Sequence, residues 1–436
     1  MAVGVRAAQS QAGGSDCRVV LMHDQEGKAL VILPSTSLLN LANVWKTSGR
    51  QLQPVKPDDA AKFFAQAGLQ TEAGLAKLFS LPLFLDGCCS AIKSLEVSDP
   101  CADVSWTVPP SLLAKAKTGV YSVAAGDLSG PDADDEVAIT NAVKRFTQLR
   151  IQQRLEDTLG LPSMSPTMRK VLELRSDPEA DVEDLVKVVR VDPSLSAQVM
   201  SWAASPYYAA PGEVNSIEDA VLRVLGFELV INMALGTAMG QMLTVPKEGP
   251  RGGTPYWMQA VCCATLAERL AKKAKAPKKP LPGLAYLSGL LHNFGYLVLA
   301  HLFPPHFALL SRYIEANPHI RFEAIEQQVL NVTREQIGGW LLTSWSLPEP
   351  VCQAVRYQNS PEHAGEYEVY ANIIKLSNTL LRLQALSDGP IEDVPEELLG
   401  VLGLSQEDVN EAMESLTENQ DSIKELTLLL EEPTKG

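Results

Sequence analysis

The chain has 436 residues, of which 46% are hydrophobic and 20% are charged, so it can bury more than one core and is neither disordered nor fibrous. Its 37 basic and 52 acidic residues give a formal net charge of −15. This charge argues against nucleic acid as a partner, because phosphate binding draws on an excess of Lys and Arg. No apolar run approaches the roughly 18 residues of a membrane span, so we expect no membrane partner.

The seven cysteines are an odd number and show no Cys-x-x-Cys spacing, which predicts reduced thiols and not a disulfide framework. The N-terminus also lacks the basic segment and apolar stretch of a secretion signal. Together these features predict a cytoplasmic protein.

The N-terminal part is predicted to be α+β. Two apolar runs, Arg18–Met22 and Ala29–Leu33, flank the turn-forming residues Asp24–Gly27 and predict a β-hairpin. Further helices are predicted at 40–48 and 58–67, and further short strands at 81–86 and 90–92.

A polar stretch with Gly, Asp and Pro, Gly126–Glu136, has the composition of an exposed linker. We therefore predict four regions: an α/β domain over residues 1–125, a linker over 126–145, a helical domain over 146–390 and an acidic helical extension over 391–436.

Helical periodicity dominates after the predicted linker, and long β-type alternation is absent. A stripe from Val143 to Leu159 has helical spacing, and further helices are predicted to begin at Asp181, Asp192-Pro193 and Ser216. This part is therefore predicted to be larger and all-α. In the extension, acidic residues far outnumber the two lysines, as is typical of a solvated helical face.

Four segments in this order resemble the HDOD family, the HD-related output domains of bacteria: Leu161–Met164, Asp192–Leu195, Ser205–Tyr208 and Ser216–Gly226. The resemblance covers roughly residues 150 to 380 and implies an all-α HD-like domain that acts in signalling. One departure is an extra residue before Gly226, which changes the local register of that helix.

The segment Gly289–Tyr296 resembles a metal-dependent phosphohydrolase motif in which Asn293 replaces the metal-binding aspartate. His292 keeps the histidine of the His-Asp pair. The other ligand positions of active HD enzymes correspond to neutral or basic residues here: Gln259, Arg334, Gln358, Asn359 and Asn378.

One imidazole among amides, with a cation at Arg334, does not provide the anionic donors that Mn²⁺ or Fe²⁺ needs. We therefore predict no catalytic residue, no metal and no cofactor, and we interpret His292 as a satisfied core histidine. Two alternatives stay open. The first is a divergent metal-dependent phosphohydrolase that uses His292 with unusual donors, and the second is a pocket that recognises a nucleotide or another small anion through Arg334.

Residues 17 to about 120 resemble the aminoacyl-tRNA deacylases related to prolyl-tRNA editing enzymes. The resemblance rests on Val31–Pro34, Asn40–Ala42, Gly49–Leu52 and Leu81–Asp86. Active members carry a lysine on the strand where this chain has Cys17-Arg18. The resemblance thus implies a degenerate domain that senses or docks and does not deacylate.

The leading hypothesis from the sequence is a non-catalytic bacterial regulatory protein. Its helical domain would transmit a signal through contacts with protein partners, which the sequence does not identify.

Overall fold

A computed structural model describes residues 17–69, 71–90, 95–99, 104–124, 135–146, 165–208, 212–240, 242–243, 245–247, 249–360 and 363–431. An N-terminal α/β region with a mixed sheet precedes a larger helical part. This agrees with the predicted order of an α+β domain followed by a helical HD-like domain.

The strands of the N-terminal region follow the chain in this order: β1 Cys17–Asp24, β2 Gly27–Pro34, β3 Ser37–Leu39, β4 Gln53–Pro54, β5 Leu83–Asp86, β6 Leu95–Asp99, β7 Val104–Val108, β8 Lys117–Gly119 and β9 Ser122–Ala124. The larger sheet has the strand order β7-β6-β1-β2-β5-β8, and β4 also pairs with β1. A second sheet consists of β3 and β9. The predicted hairpin is confirmed, because β1 and β2 are antiparallel from the Cys17–Pro34 pair to the Asp24–Gly27 pair.

Successive residues of the two hairpin strands are apolar because both faces of the sheet are buried. Val19 and Leu21 of β1 enter one apolar cluster, whereas Val20 and Met22 enter another on the opposite face. Ala316 of the helical part belongs to this second cluster. The helical part therefore covers one face of the N-terminal sheet.

Four helices accompany the strands: α1 Leu41–Ser48, α2 Pro57–Gln66, α3 Glu72–Leu78 and α4 Pro110–Leu113. Asn40 caps α1 by accepting a hydrogen bond from the amide of Asn43. The strand predicted at 90–92 is wrong at Ser90, and residues 91 and 92 lie outside the described residues. The Asp86 carboxylate accepts a bond from the Cys88 amide and turns the chain into a short 3₁₀ helix, Gly87–Cys89.

The helical part contains α5 Asp135–Phe146, α6 Pro166–Ser176, α7 Val182–Val191, α8 Pro193–Ala204, α9 Ile217–Asp219, α10 Phe227–Gly240, α11 Tyr256–Lys273, α12 Pro282–Leu291, α13 Phe294–Leu302, α14 Pro304–Ala316, α15 Phe322–Leu330, α16 Arg334–Ser344, α17 Glu349–Tyr357, α18 Glu368–Leu383, α19 Glu396–Leu402, α20 Gln406–Glu418 and α21 Gln420–Glu431. The predicted starts are confirmed at Asp181 and Ser216, which cap the next helical turn with their side chains.

Helix α5 lies mostly within the range predicted as a linker, so the linker prediction is wrong for residues 135–145. Ile139 and Ala142 are buried in the helical core, and Asp135 pairs with Arg356 of α17. Tertiary burial therefore outweighs the polar composition on which the linker prediction rests. Residues 126–134 lie outside the described residues, as do residues 147–164 with the rest of the predicted helical stripe.

The extra residue before Gly226 is accommodated by a π-helical turn, Ala220–Leu225, which continues α9. The Gly226 amide donates to the Val221 carbonyl, five residues earlier, at 2.8 Å. Each π turn takes in one residue more than an α turn. Gly226 then leaves the helix with φ +82°, a conformation that glycine adopts readily.

Helices α19–α21 of the acidic extension pack against the helical core. Their inward residues are buried: Leu398, Leu402, Val409, Ala412, Leu416 and Ile423. Lys273 at the end of α11 pairs with Glu411, so an acidic residue of the extension contacts the helical core. Polar residues of these helices occupy the outward side, in agreement with an amphipathic pattern.

The stretch Pro282–Leu302, which comprises α12 and α13, is long and apolar enough by composition to cross a membrane. This corrects the expectation that no apolar run has that length. In the described structure, 94% of its most apolar window is buried inside the protein, as in the core helix of a folded domain.

The end of α14 forms the junction between the two parts of the molecule. Arg18 of β1 is buried and donates hydrogen bonds to the Ala316 carbonyl at 2.9 Å and to the Asn317 side-chain oxygen at 2.5 Å. The Leu39 amide donates to the same Asn317 oxygen at 2.8 Å. Arg18 is therefore a buried cation that docks the two parts of the molecule together.

Replacement of Arg18 by methionine keeps the apolar volume and removes these hydrogen bonds. We expect Arg18→Met to lower the free energy of unfolding by roughly 2–4 kcal/mol, because charged hydrogen bonds in a buried junction are lost. Urea denaturation measures the change. Arg190→Met is the matched control, since Arg190 forms an exposed ion pair with Glu218. This substitution should lower the free energy of unfolding by about 1 kcal/mol or less. Equal effects of both substitutions would contradict the docking role of Arg18.

Candidate functional site

A cavity of about 310 Å³ lies in the helical part. All seven residues singled out from the sequence line it: Gln259, His292, Asn293, Arg334, Gln358, Asn359 and Asn378. These residues come from α11, from the α12–α13 connection, from the start of α16, from the two residues that follow α17, and from the interior of α18. The structure thus brings together side chains that lie up to 119 residues apart in the sequence.

Two glycines of the Gly289–Tyr296 segment allow the helices around the cavity to approach closely. A Cβ atom on Gly295 would lie 1.9 Å from the Arg334 carbonyl oxygen, and one on Gly289 would lie 2.6 Å from the Ala264 Cα. Since the obstructing atoms belong to the backbone, they cannot move aside as a flexible side chain can. The glycines therefore fix the position of His292 and Asn293 against α11 and α16.

Arg334 is buried at the start of α16 and is held by Glu326, which is fully buried in α15. Its backbone amide and its Nε donate to the two Glu326 carboxylate oxygens at 2.9 and 2.5 Å. Its Nη1 donates to the Asn293 side-chain oxygen at 3.0 Å. A guanidinium therefore binds the Asn293 amide, at the position where the motif resemblance implies a metal-binding carboxylate in active enzymes.

The Thr333 side chain caps α16, and the Gln336 side chain accepts a bond from the Thr333 amide. This capping box places Arg334 in the first helical turn. Asn331 has a left-handed conformation with φ 59° and ends α15, so the chain turns sharply between Glu326 and Arg334. Burial raises the pKa of Glu326 to about 7, and the nearby Arg334 opposes this shift.

His292 is a buried, neutral histidine. Its Nδ1 lies 2.7 Å from the Gly289 carbonyl oxygen, so Nδ1 carries the proton and donates to that oxygen. Burial, together with the nearby Arg382 and Arg334, lowers the pKa of His292 to about 4, and the hydrogen bond to Gly289 opposes this shift. The Nε2 atom then keeps its lone pair at neutral pH.

The amides of the site bind one another and the backbone. Gln358 donates to the His292 carbonyl at 2.7 Å and accepts from Asn378 at 3.1 Å. Asn359 donates to Glu335 at 3.0 Å. Gln259 donates to Asp388 at 3.0 Å and accepts from the Asp388 amide at 3.2 Å, so its side chain holds the loop that follows α18.

Sequence reasoning missed the charged residues that complete the cavity. Arg382, Glu323, Glu335 and Asp388 line it, and Glu326 lies behind Arg334. For Arg382 a signal was available, because it follows Asn378 by four residues and therefore lies on the same helix face. The glutamates had no such signal, since the turn between α15 and α16 brings them to the site.

A divalent metal ion does not fit this donor set. Among the described residues, no group of three or more His, Cys, Asp or Glu side chains is placed to hold a metal ion. The Asn293 oxygen accepts a bond from Arg334, and a cation so close to that oxygen would repel a metal. Glu323, Glu335 and Asp388 also line the cavity, but among the described residues they form no such group with His292. The neutral amides hold hard cations poorly.

The buried pair between Arg334 and Glu326 gives a test by stability. We expect Arg334→Met alone to lower the free energy of unfolding by about 3–5 kcal/mol, because Glu326 keeps a buried polar group without its partner. Combining it with Glu326→Leu should recover most of that loss. Urea denaturation of both variants measures the difference. A double variant as unstable as the single one would contradict this assignment.

His292 gives a second test, by pH. The unfolded chain takes up a proton on this ring near pH 6.5, whereas the folded protein does so only near 4. The neutral ring therefore contributes stability above pH 6.5 that is lost as the pH falls toward 4. Between pH 7 and 4, the wild type should lose up to about 3 kcal/mol relative to His292→Gln.

Denaturation curves across this pH range measure the difference between the two proteins. Above pH 7 neither state of the wild type takes up the proton, so the difference should be constant and serves as the internal control. Parallel pH profiles throughout would contradict a buried, neutral His292.

The HDOD domain family matches residues 161–361 of the chain. A candidate signal transduction protein from Marinobacter aquaeolei VT8 has a similar structure, with a TM-score of 0.84 and 39% identity over 95% of this chain and 93% of that chain. An HDOD domain protein of unknown function from Geobacter sulfurreducens shares the fold at 21% identity, with a TM-score of 0.52, over 70% of this chain and 100% of that chain.

An uncharacterized protein from Treponema pallidum (strain Nichols) is 26% identical over 258 residues, which are 59% of this chain and 48% of that protein. The chain thus spans about half the length of this curated relative. These matches do not test the deacylase resemblance of the N-terminal region, which stays a prediction. The combination of the family match and the similar full-length structure places this chain among the HDOD-domain proteins.

Proposed function

We propose that this protein is a non-catalytic regulatory protein of bacterial signal transduction, whose HDOD domain acts through contacts with protein partners. The hydrogen bond from Arg334 to Asn293 carries the proposal. In active HD enzymes a carboxylate at this position holds a cation that lowers the pKa of a bound water. Here the guanidinium of Arg334 donates to the Asn293 oxygen instead, and a guanidinium cannot activate a water molecule to hydroxide.

The name of the Marinobacter aquaeolei relative supports a signalling role, and the two-part architecture is consistent with it. The N-terminal region docks on the end of α14 through Arg18, and its sheet is covered there by the helical part. We propose that this region is a degenerate sensing or docking domain. No disulfide is found among the six described cysteines, and this supports the proposed cytoplasmic location.

The main alternative is a divergent metal-dependent phosphohydrolase that uses His292 as a ligand. The Nε2 atom of His292 is the feature that favours it, because a neutral imidazole with a fixed Nδ1 proton is a suitable metal donor. The two functions differ in their requirement for a metal, so phosphoester turnover with added Mn²⁺ separates them.

The substitution Asn293→Asp restores the carboxylate of the HD motif and tests the proposal. We expect no phosphoester turnover with Mn²⁺ in this variant, because Arg334 would form an ion pair with the new carboxylate at the 3.0 Å position. The free energy of unfolding should stay within about 1 kcal/mol of the wild type, since the new ion pair offsets the cost of burying a charge. Hydrolysis of a chromogenic phosphodiester is the measurement.

The wild type and His292→Ala are the controls. Turnover by the wild type that His292→Ala abolishes would contradict a non-catalytic function and favour the phosphohydrolase. A partner captured from the native host by the full chain, and lost when Arg18→Met weakens the docking of the N-terminal region, would support transmission through protein contacts.

A further inference from the structure

The cavity contains an arginine whose charge is not balanced by an ion pair. Arg382 of α18 is partly exposed and lines the cavity, and its Nε donates to the Asp388 carbonyl at 3.1 Å. No described carboxylate forms an ion pair with it, although Glu323 and Glu392 lower its electrostatic cost from farther away. Because a guanidinium keeps its proton at every physiological pH, this positive charge is permanent.

Three buried polar atoms on the cavity residues have no partner among the described residues: Arg334 Nη2, Glu335 Oε2 and Asn378 Oδ1. Each of these residues is more than nine-tenths buried, with 7%, 6% and 5% of its surface exposed, respectively. One atom is a donor and two are acceptors. A complementary ligand must therefore both accept and donate hydrogen bonds.

We propose that this cavity binds a small organic anion that also donates hydrogen bonds, of the size and kind of a nucleoside monophosphate. Its anionic group would bind Arg334 Nη2, the donor that Glu326 and Asn293 leave without a partner, and the terminal Nη groups of Arg382. Its N–H or O–H groups would donate to Glu335 and Asn378. The volume of about 310 Å³ lies at the lower end of cavities that enclose such ligands.

The inference rests on the proposed function, because a metal centre at Asn293 would occupy the same cavity. The mixed charge of the lining argues against a simple inorganic anion. Glu323, Glu335 and Asp388 line the cavity with Arg382, so a ligand with only negative groups would meet carboxylates on other sides. A ligand that satisfies both the arginines and the unpaired acceptor atoms must carry an anionic group and hydrogen-bond donors on one molecule.

One wall of the cavity connects the ligand to the N-terminal region. Residues 245–247 and 249–255, which we call the wall loop, contribute Lys247, Arg251 and Thr254 to the lining. Arg251 pairs with the buried Glu315 at 2.6 Å and donates to the Pro54 carbonyl of β4 at 2.6 Å. A ligand that orders the wall loop would therefore strengthen a contact between the two parts of the protein.

Isothermal titration of the full chain with GMP tests the proposal, with AMP and inorganic phosphate as comparison probes. We expect GMP or AMP to bind at least about tenfold more tightly than phosphate, because only the nucleotides supply donors for Glu335 and Asn378. Equal affinity for phosphate and both nucleotides, or binding of none of them, would overturn the proposal.

Two variants locate the site. Arg382→Gln should weaken nucleotide binding by about tenfold or more, since it removes the charge-assisted bonds. Lys247→Glu reverses an exposed charge at the cavity edge without touching the core and should weaken binding roughly threefold or more. Arg190→Gln, on an exposed helix position, is the matched control and should bind as the wild type does.

Unchanged binding by Lys247→Glu would overturn the location even if Arg382→Gln does not fold. The two proposals fail in different ways. Hydrolysis of GMP with Mn²⁺ would overturn the non-catalytic function while leaving a nucleotide site. Absence of nucleotide binding by a protein that is also inactive with Mn²⁺ would overturn this inference alone.

Discussion

The candidate site depends on one physical constraint, which is that a buried guanidinium must be paired. Arg334 has 7% of its surface exposed, so leaving it without a carboxylate would cost several kcal/mol. Glu326 supplies that carboxylate from the preceding helix, and Asn293 accepts the next hydrogen bond. Around this pair the helical scaffold holds a polar cavity, which His292, several amides and the carboxylates of Glu323, Glu335 and Asp388 line.

The same cavity lies next to the junction of the two parts of the molecule. Three consecutive residues at the end of α14 have separate roles. Glu315 binds the wall loop through Arg251, the Ala316 carbonyl accepts a bond from Arg18, and Asn317 binds both Arg18 and Leu39. Hydrogen-bonded neighbours therefore connect the cavity wall to the N-terminal sheet, as in the contiguous networks that can carry coupling between two sites.

Local signals predicted the elements well, whereas contacts distant in sequence were not predictable. The apolar runs around a turn predict the hairpin strands, and the capping side chains of Asp181 and Ser216 predict where helices begin. The resemblance to the metal cage of active HD enzymes led to the seven residues singled out from the sequence, all of which line the cavity. The burial of α5, the role of Glu326 and the docking of Arg18 depend on tertiary partners, which no local pattern specifies.

We propose that Arg334 and the amides around His292 leave no site for a divalent cation. Titration of the purified full chain with Mn²⁺, followed by electron paramagnetic resonance of the free ion, tests it most directly. We expect the concentration of free Mn²⁺ to rise in proportion to the amount added, as it does in buffer. Stoichiometric loss of the free-ion signal in the wild type, restored by His292→Ala, would contradict it.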